Sequence, residues 1–535
     1  MKSKFLILAT LLAAAAVLLS LAACTEIGVA DASGDVSISN ISESYIKANV
    51  TLSDNGISVR GKGISVHGSI VTITSGGRYV FSGALTNGRI IVNAPRAKVT
   101  IVLNGASIKC TYSSPVYIYQ SRLTTITLSN GTTNTLADGK PYTFTDNISS
   151  RNESEPNACL YSKCDLIING NGKLAINAKY RNGITTKDSL RISNASIAVK
   201  AKRNGINGRD CNIITDADIT VNCGGDAIRS TNEIDASLGY IEISNSTLNL
   251  TAGKDAIQAA TDLTVTNGIF NLTTGGGNTG KVKKKASSKG LKAGNSLTVY
   301  DGTFVIDSAD DSLHSDGDIT IFGGAFTMSS GDDGAHANKT LNVIGGTIDI
   351  LKSFEGLEGS VVNISGGTIN IVASDDGINA DANDSSCAIN ISGGSVVIFA
   401  RDDGIDSNGA INISGGRVES IINSTPDNTA LDNSEGFLTV TGGTVIAGGT
   451  GTHENLSADS TQSYVYITDI PSGAKLTVTS GTKTLATYTA NRNIDHLVIF
   501  APGITSGQTY DVSINENTIP IIAGIGGAPD ELSHE

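Results

Sequence analysis

The chain has 535 residues, with 51 acidic against 38 basic side chains and a formal net charge of −13. At 39% hydrophobic and 17% charged it carries too much Ile, Val and Leu for a disordered polar segment, and its acidic balance excludes nucleic acid as a partner. The 61 Gly, 9 Pro and absent Trp, with apolar residues scattered in short runs, favour many short strands around a thin, extended core.

In chain order, residues 1–23 read as a lipoprotein signal peptide. Lys2 and Lys4 precede an apolar stretch from Phe5 to Ala22, the charged start and apolar core of an export signal rather than a retained membrane span. Leu21-Ala22-Ala23-Cys24 resembles a bacterial lipobox, in which the Cys thiol becomes thioether-linked to diacylglycerol. Cys24 is then the lipid anchor, and the mature chain is an extracytoplasmic, cell-surface lipoprotein touching the membrane through that anchor only. A plain Ala-x-Ala-type cleavage would instead leave Cys24 a spare thiol. Residues 24–47 read as a linker.

Residues 48–459 read as an all-β solenoid. From 48 to about 175 the coils are irregular, with Val71 to Ile73 and Ile101 to Leu103 as clear strands. A short phrase then recurs: Asn182-Gly183-Ile184, Asn204-Gly205-Ile206, Asp226-Ala227-Ile228, Asp255-Ala256-Ile257, Lys289-Gly290-Leu291, Asp311-Ser312-Leu313, Asp333-Gly334-Ala335, Glu355-Gly356-Leu357, Asp376-Gly377-Ile378 and Asp403-Gly404-Ile405. Most steps are about 22 residues. Between these phrases fall alternating strands closed by Gly-Gly, as in Ile319 to Gly324, Leu341 to Gly346, Val362 to Gly367, Ile389 to Gly394 and Ile411 to Gly416. Period-2 alternation buries one face of each strand, and glycine supplies the crowded corners. Coils of about 22 residues are too short for a propeller blade and lack the Leu pattern of a leucine-rich repeat, so they predict a parallel β-helix.

Departures from the period mark insertions. The step from 256 to 290 holds a Gly-rich run and then Lys281, Lys283, Lys284 and Lys285, and Asn383 to Ser386 form a smaller bulge. Oxidising surroundings permit disulfides such as Cys159 with Cys164 or Cys211 with Cys223, but spacing fixes no connectivity. Residues 460–522, with strands at Tyr464 to Ile467, Leu476 to Val478 and His496 to Phe500, read as a small β-sandwich-like cap over the last coil. Residues 523–535 are a tail.

Between 300 and 440 acidic residues outnumber basic ones roughly fivefold. Asp310-Asp311, Asp332-Asp333, Asp375-Asp376 and Asp402-Asp403 fall at one place in the repeat, with Glu355 holding the equivalent place between them. Stacked coils lie about 4.8 Å apart, close to twice a Ca²⁺–oxygen bond of about 2.4 Å. The pairs, with Asp406 nearby, are therefore expected to bind Ca²⁺, because turn propensity asks for one Asp and not two. His314, His336, Glu358 and Asn379 share one further repeat position and are expected to point outward beside the acids as ligand contacts or as solvated surface. Lys289 and Lys292 flank the same turn in the coil below, where a cation would meet an anionic ligand or balance the acids.

Three blocks resemble the bacterial family of surface carbohydrate-binding β-helix proteins. They are Glu155-Pro-Asn-Ala158 with Leu166 to Gly170; Ser288 to Ala293 leading into Phe304 to Asp311; and the Asp-Asp-Gly-Ile coils ending in Thr444 to Gly448. The resemblance runs from about 48 to 515 and implies a right-handed, pectate-lyase-like β-helix with bound Ca²⁺. It also implies affinity for plant polysaccharides such as polygalacturonate and cellulose, without established cleavage. Asn182 and Asn204 depart from the acidic turn common in the family's earlier coils. The expected function is thus a monomeric, calcium-dependent polysaccharide binder, in which Ca²⁺ bridges protein and uronate carboxylates. Without Trp, and with 14 Tyr, only weaker stacking on sugar is available. Two alternatives stand beside it: a calcium-dependent polysaccharide lyase using Lys289 or Lys292 as base, and a calcium-stiffened adhesin or spacer.

Overall fold

Alternation of apolar and polar residues does what period 2 requires: each strand buries one face, and the buried faces close on one another as a hollow prism filled by side chains. The structure is a computed structural model describing residues 46–281, 287–381, 387–423, 428–433 and 436–524. The signal peptide, Cys24, the linker up to residue 45, Lys283 to Lys285, Asn383 to Ser386 and residues 525–535 lie outside the described residues.

The described chain is all β, a parallel β-solenoid of about 16 turns with a separate antiparallel sheet at its C-terminus. A full coil carries three strands, such as Leu313–Ser315, Asp318–Ile321 and Ala325–Ser330. Each pairs in parallel with its equivalent in the next coil. In the first ladder one interior column runs Ile184, Ile206, Ile228, Ile257, Leu291, Leu313, Ala335, Leu357, Ile378, Ile405, Leu431. These are the apolar residues of the recurring phrase and all are fully buried. Phe270, Phe304 and Phe326 stack inside the third ladder with centroids 4.6 and 4.4 Å apart, close to the strand spacing itself.

The glycines are placed by close approach. Gly346 has φ 93° at the corner after the second strand, and a Cβ there would lie 2.7 Å from the Gly324 carbonyl oxygen of the coil below. At Gly377, in the recurring phrase, a Cβ would lie 2.2 Å from Ile398 Cγ2 and 2.4 Å from the Gly404 oxygen. Ordinary φ is tolerated there, but no side chain is.

The first coil is covered by Ile46–Leu52, which pairs antiparallel with Ser58–Gly61 and parallel with Gly77–Leu85. The strands expected around Val71 and Ile101 are Ile70–Ile73 and Lys98–Cys110. At the other end Ile494–Phe500 pairs antiparallel with the last long strand, Leu438–Gly449, and with Tyr464–Ile470. Over this lies a four-stranded antiparallel sheet of Lys475–Ser480, Lys483–Thr489, Thr509–Ile514 and Asn517–Ile522. Ile446, Val465, Leu476, Val478 and Val512 share the core between the two layers. The open end of the solenoid is thereby covered. No disulfide joins the cysteines among the described residues, so neither the Cys159 with Cys164 nor the Cys211 with Cys223 bridge that the spacing permitted is formed.

Candidate cation and carbohydrate site

The recurring phrase builds two side-by-side columns. Its first residue forms the turn column Asn182, Asn204, Asp226, Asp255, Lys289, Asp311, Asp333, Glu355, Asp376, Asp403 and Thr429. Backbone bonds join these turns coil to coil, as Gly334 N donates to Glu355 O at 3.0 Å and Gly377 N to Asp403 O at 3.0 Å. Three residues later, the outward residue of the short strand forms a neighbouring column of Arg229, Gln258, Lys292, His314, His336, Glu358, Asn379, Asp406 and Asp432.

The turn acid has a structural task. Its side-chain oxygen accepts the backbone N–H of the same position one coil on: Asp333 N donates to Asp311 Oδ1 at 3.3 Å, Glu355 N to Asp333 at 3.2 Å, Asp403 N to Asp376 at 2.9 Å and Thr429 N to Asp403 at 2.6 Å. Asn182 and Asn204 do the same toward Asn204 N and Asp226 N. An amide serves the backbone as well as a carboxylate does, so the inter-coil cap alone does not explain the charge.

In the lower half, cationic side chains stand among the acids, although Asp332 forms no ion pair among the described residues and is raised by burial and by Asp311 and Asp310. Lys289 Nζ donates to Asp310 at 2.9 Å and to Asp311. His314 Nδ1 lies 2.8 Å from Asp311 Oδ2, and its Nε2 lies 3.0 Å from Asp316. His336 Nδ1 lies 3.2 Å from Asp333 Oδ2 and is paired with Glu358. The imidazoles of His314 and His336 sit one above the other with centroids 5.1 Å apart. Burial raises the cost of charge on Asp311, but His314 and Lys289 overcome it and hold the carboxyl well below the usual range. Burial alone would lower His336; Asp333 and Glu358 reverse that and push it up to about 11, so it stands as an imidazolium. Burial likewise acts to lower Lys289, and Asp311 and Asp310 hold it above its ordinary value.

The upper half has no such partners. Glu355, Asp375, Asp376, Asp402, Asp403, Asp406, Asp432 and Glu454 form no ion pair among the described residues. Burial, then the Glu358 and Asp333 charges, push Glu355 up to about 8. Burial and the neighbouring carboxylates push Asp376, Asp403 and Asp406 up to about 7, against the backbone N–H each accepts or adjoins. Asp375 is raised to about 6 by burial and by Asp402. Glu355 Oε2 and Asp432 Oδ1 are buried with no hydrogen-bond partner among the described residues. One ligand atom each from Glu355, Asp375 and Asp376 lies within 4.8 Å of the others. Atoms of Asp310, Asp311 and Asp332, of Asp311, His314 and His336, and of Asp333, His336 and Glu358 converge to the same degree, but there Lys289 and the imidazoles already stand among the oxygens.

The structure thus brings the expected metal residues into one column system and divides them by their neighbours. His314 is buried and bonded to two acids, and His336 and Glu358 pair with each other rather than projecting freely. Asn379 Nδ2 donates to Glu355 Oε1 at 3.1 Å. Lys292 lies in the outward column between Gln258 and His314. Asp432 and Glu454, which extend the acidic run, were not expected: Ala430-Leu431-Asp432 lacks the Asp-Gly of the phrase and follows a longer step. The only signal for Asp432 was an acid directly after an apolar turn residue, and Glu454, which follows His453, carried none.

A family profile described as carbohydrate-binding domain-containing protein matches residues 67–334 and 333–487. A carbohydrate-binding domain-containing protein of Acetivibrio thermocellus is 33% identical over 245 residues, covering 45% of this chain and 84% of that protein. A solved structure titled as a gadolinium derivative of the polysaccharide lyase-like protein from C. thermocellum aligns with a TM-score of 0.42 and 31% identity, over 48% of this chain and 97% of that one.

Proposed function

This chain belongs to the carbohydrate-binding domain-containing protein family, and from that premise we propose that it is a calcium-dependent surface lipoprotein, anchored at Cys24, that holds plant-type polysaccharide without cleaving it. The observation that carries the calcium part is the upper run of carboxylates, crowded in register and forming no ion pair among the described residues. Oxygen-only donors at this spacing suit a hard divalent ion. Glu355, Asp375, Asp376, Asp402, Asp403 and Asp406 are the residues that would hold it, with the unpartnered oxygens of Glu355 and Asp432 beside them. When bound, Ca²⁺ supplies a bridge between these carboxylates and those of a uronic acid polymer such as polygalacturonate, which a bare net charge of −13 would repel.

Of the two candidate bases, Lys289 argues for binding rather than cleavage. A lyase base must be neutral at working pH to take the proton α to a uronate carboxylate. Lys289 is half-buried between Asp310 and Asp311 and held protonated above its ordinary range, the reverse of what a base requires. Its place is that of an internal counter-ion.

Pull-down on insoluble polygalacturonate tests the reading. Retention in millimolar Ca²⁺ and release by EGTA is the expected result, with no rise in ultraviolet absorbance from unsaturated uronate. Equal retention with and without EGTA removes calcium from the account, and no retention on any acidic polysaccharide removes the uronate ligand.

A further inference from the structure

A groove of about 710 Å³ opens on the outer face of the second ladder, one face around from the acidic columns. Its floor is a set of short outward side chains on successive coils, with Ser244, Thr264, Thr266 and Thr298 among its lining residues. One rim is the connection around Ala236 and Ser237, which precedes the strand Tyr240–Ser244. The other end is closed by Tyr300.

The closed end arises from a step in side-chain size along one column. Thr215, Ser244 and Thr266 occupy the end position of the strand in consecutive coils, and Tyr300 and then Phe322 follow them. Tyr300 and Phe322 stack with centroids 4.9 Å apart and planes 7° from parallel. Phe322 therefore covers one face of the Tyr300 ring, and the small Thr266 leaves the other face bounding the groove. The stack is two rings long, with Ile344 following Phe322 and Thr266 preceding Tyr300, so one ring face stands beside a polar floor.

The polar groups have one sign. Among the described residues Glu242 and Asp262 line the groove and no Lys, Arg or His does. Asp262 Oδ1 is fixed by Asn295 Nδ2 at 2.7 Å and by Ser296 Oγ at 2.6 Å, so the carboxylate is oriented and its second oxygen has no partner among the described residues. A fixed carboxylate accepts from sugar hydroxyls in strong charge-assisted bonds and repels a uronate. An apolar ring face with a few aligned polar groups is the composition of a small-ligand site.

We infer that this groove is a second, calcium-independent carbohydrate site that takes neutral pyranose units, with Tyr300 stacking on the sugar's C–H face and Asp262 accepting from its hydroxyls. The inference rests on the family's carbohydrate binding and not on the calcium reading, since its ligand, residues and face are different. Calorimetry with neutral β-1,4-linked hexasaccharides of glucose and of xylose, in EGTA, is the test, with a hexagalacturonate as charged control. Binding of a neutral hexasaccharide in EGTA is expected, weakened at least tenfold by Tyr300→Ala. Thr266→Tyr, which would fill the groove by extending the ring stack without removing any packing, is expected to weaken it as much. Both variants should keep wild-type retention on polygalacturonate in Ca²⁺, which separates this site from the acidic columns. No binding of either neutral hexasaccharide, binding that Thr266→Tyr leaves unchanged, or displacement by hexagalacturonate in EGTA overturns the inference.

Discussion

The lower and upper halves of the acidic run use the same phrase on the same coil geometry and differ in whether cationic side chains stand among the acids. Between Lys289 and Glu358 the two columns interleave acids with Lys289, His314 and His336, and Asp311 and Glu358 lie below their ordinary range, while burial and the crowding of Asp311, Asp332 and Glu358 push Asp333 up to about 7 despite His336. Between Glu355 and Glu454 the same positions carry acids, the amide of Asn379 and the hydroxyl of Thr429, and Glu355, Asp376, Asp403 and Asp406 are pushed up to about 7 or 8. The difference lies in which side chain occupies the neighbouring rung and not in the turn. A column of stacked acids is therefore no cation site by itself; it becomes a candidate only where no side chain already supplies the positive charge.

Three perturbations break or sharpen this contrast. The largest effect is expected in the lower half: Asp311→Ala strands the Lys289 ammonium beside Asp310 and removes a partner of His314 and of the Asp333 N–H. Breaking a buried pair in this way costs about 3 kcal/mol, and chemical denaturation should show that loss equally in Ca²⁺ and in EGTA. A loss confined to Ca²⁺ would place the ion in the lower half. Next, in the upper half, Asp376→Asn combined with Asp403→Asn keeps both backbone caps while removing two charges, and it should raise stability in EGTA. In the wild type, Ca²⁺ at 100 times its Kd should add about 2.7 kcal/mol, and thermal melts of the double variant should lose that increment.

The gentlest effect is that of pH. Carboxyls raised in the folded state bind protons more readily there than in the unfolded chain, so they favour folding at low pH. That advantage is lost as pH rises from the unfolded value near 4 through the folded values of about 7 at Asp376, Asp403 and Asp406. In EGTA the melting temperature should fall between pH 5 and pH 8, and the double Asn variant should flatten that slope.

The coil was legible because its interior column is built from one apolar residue per phrase, and burying Ile184 through Ile405 needs that period and no other. The acidic column was legible for the same reason. What the pattern could not carry was contact across coils. Lys289 belongs to the phrase, yet only register shows its ammonium reaching the pair one coil on. The inter-coil cap was hidden because Asn182 and Asp333 make the same bond with different charge. The groove was hidden by the insertion before Lys289, which places Thr266 and Tyr300 in adjacent coils although the sequence separates them by more than one period.

The most direct test is anomalous diffraction from crystals soaked in Ca²⁺ or in a lanthanide that replaces it. The account predicts a peak among Glu355, Asp375, Asp376, Asp402, Asp403 and Asp406, and none where Lys289 meets Asp310 and Asp311. A peak in the lower half alone, or no peak in either, would contradict it.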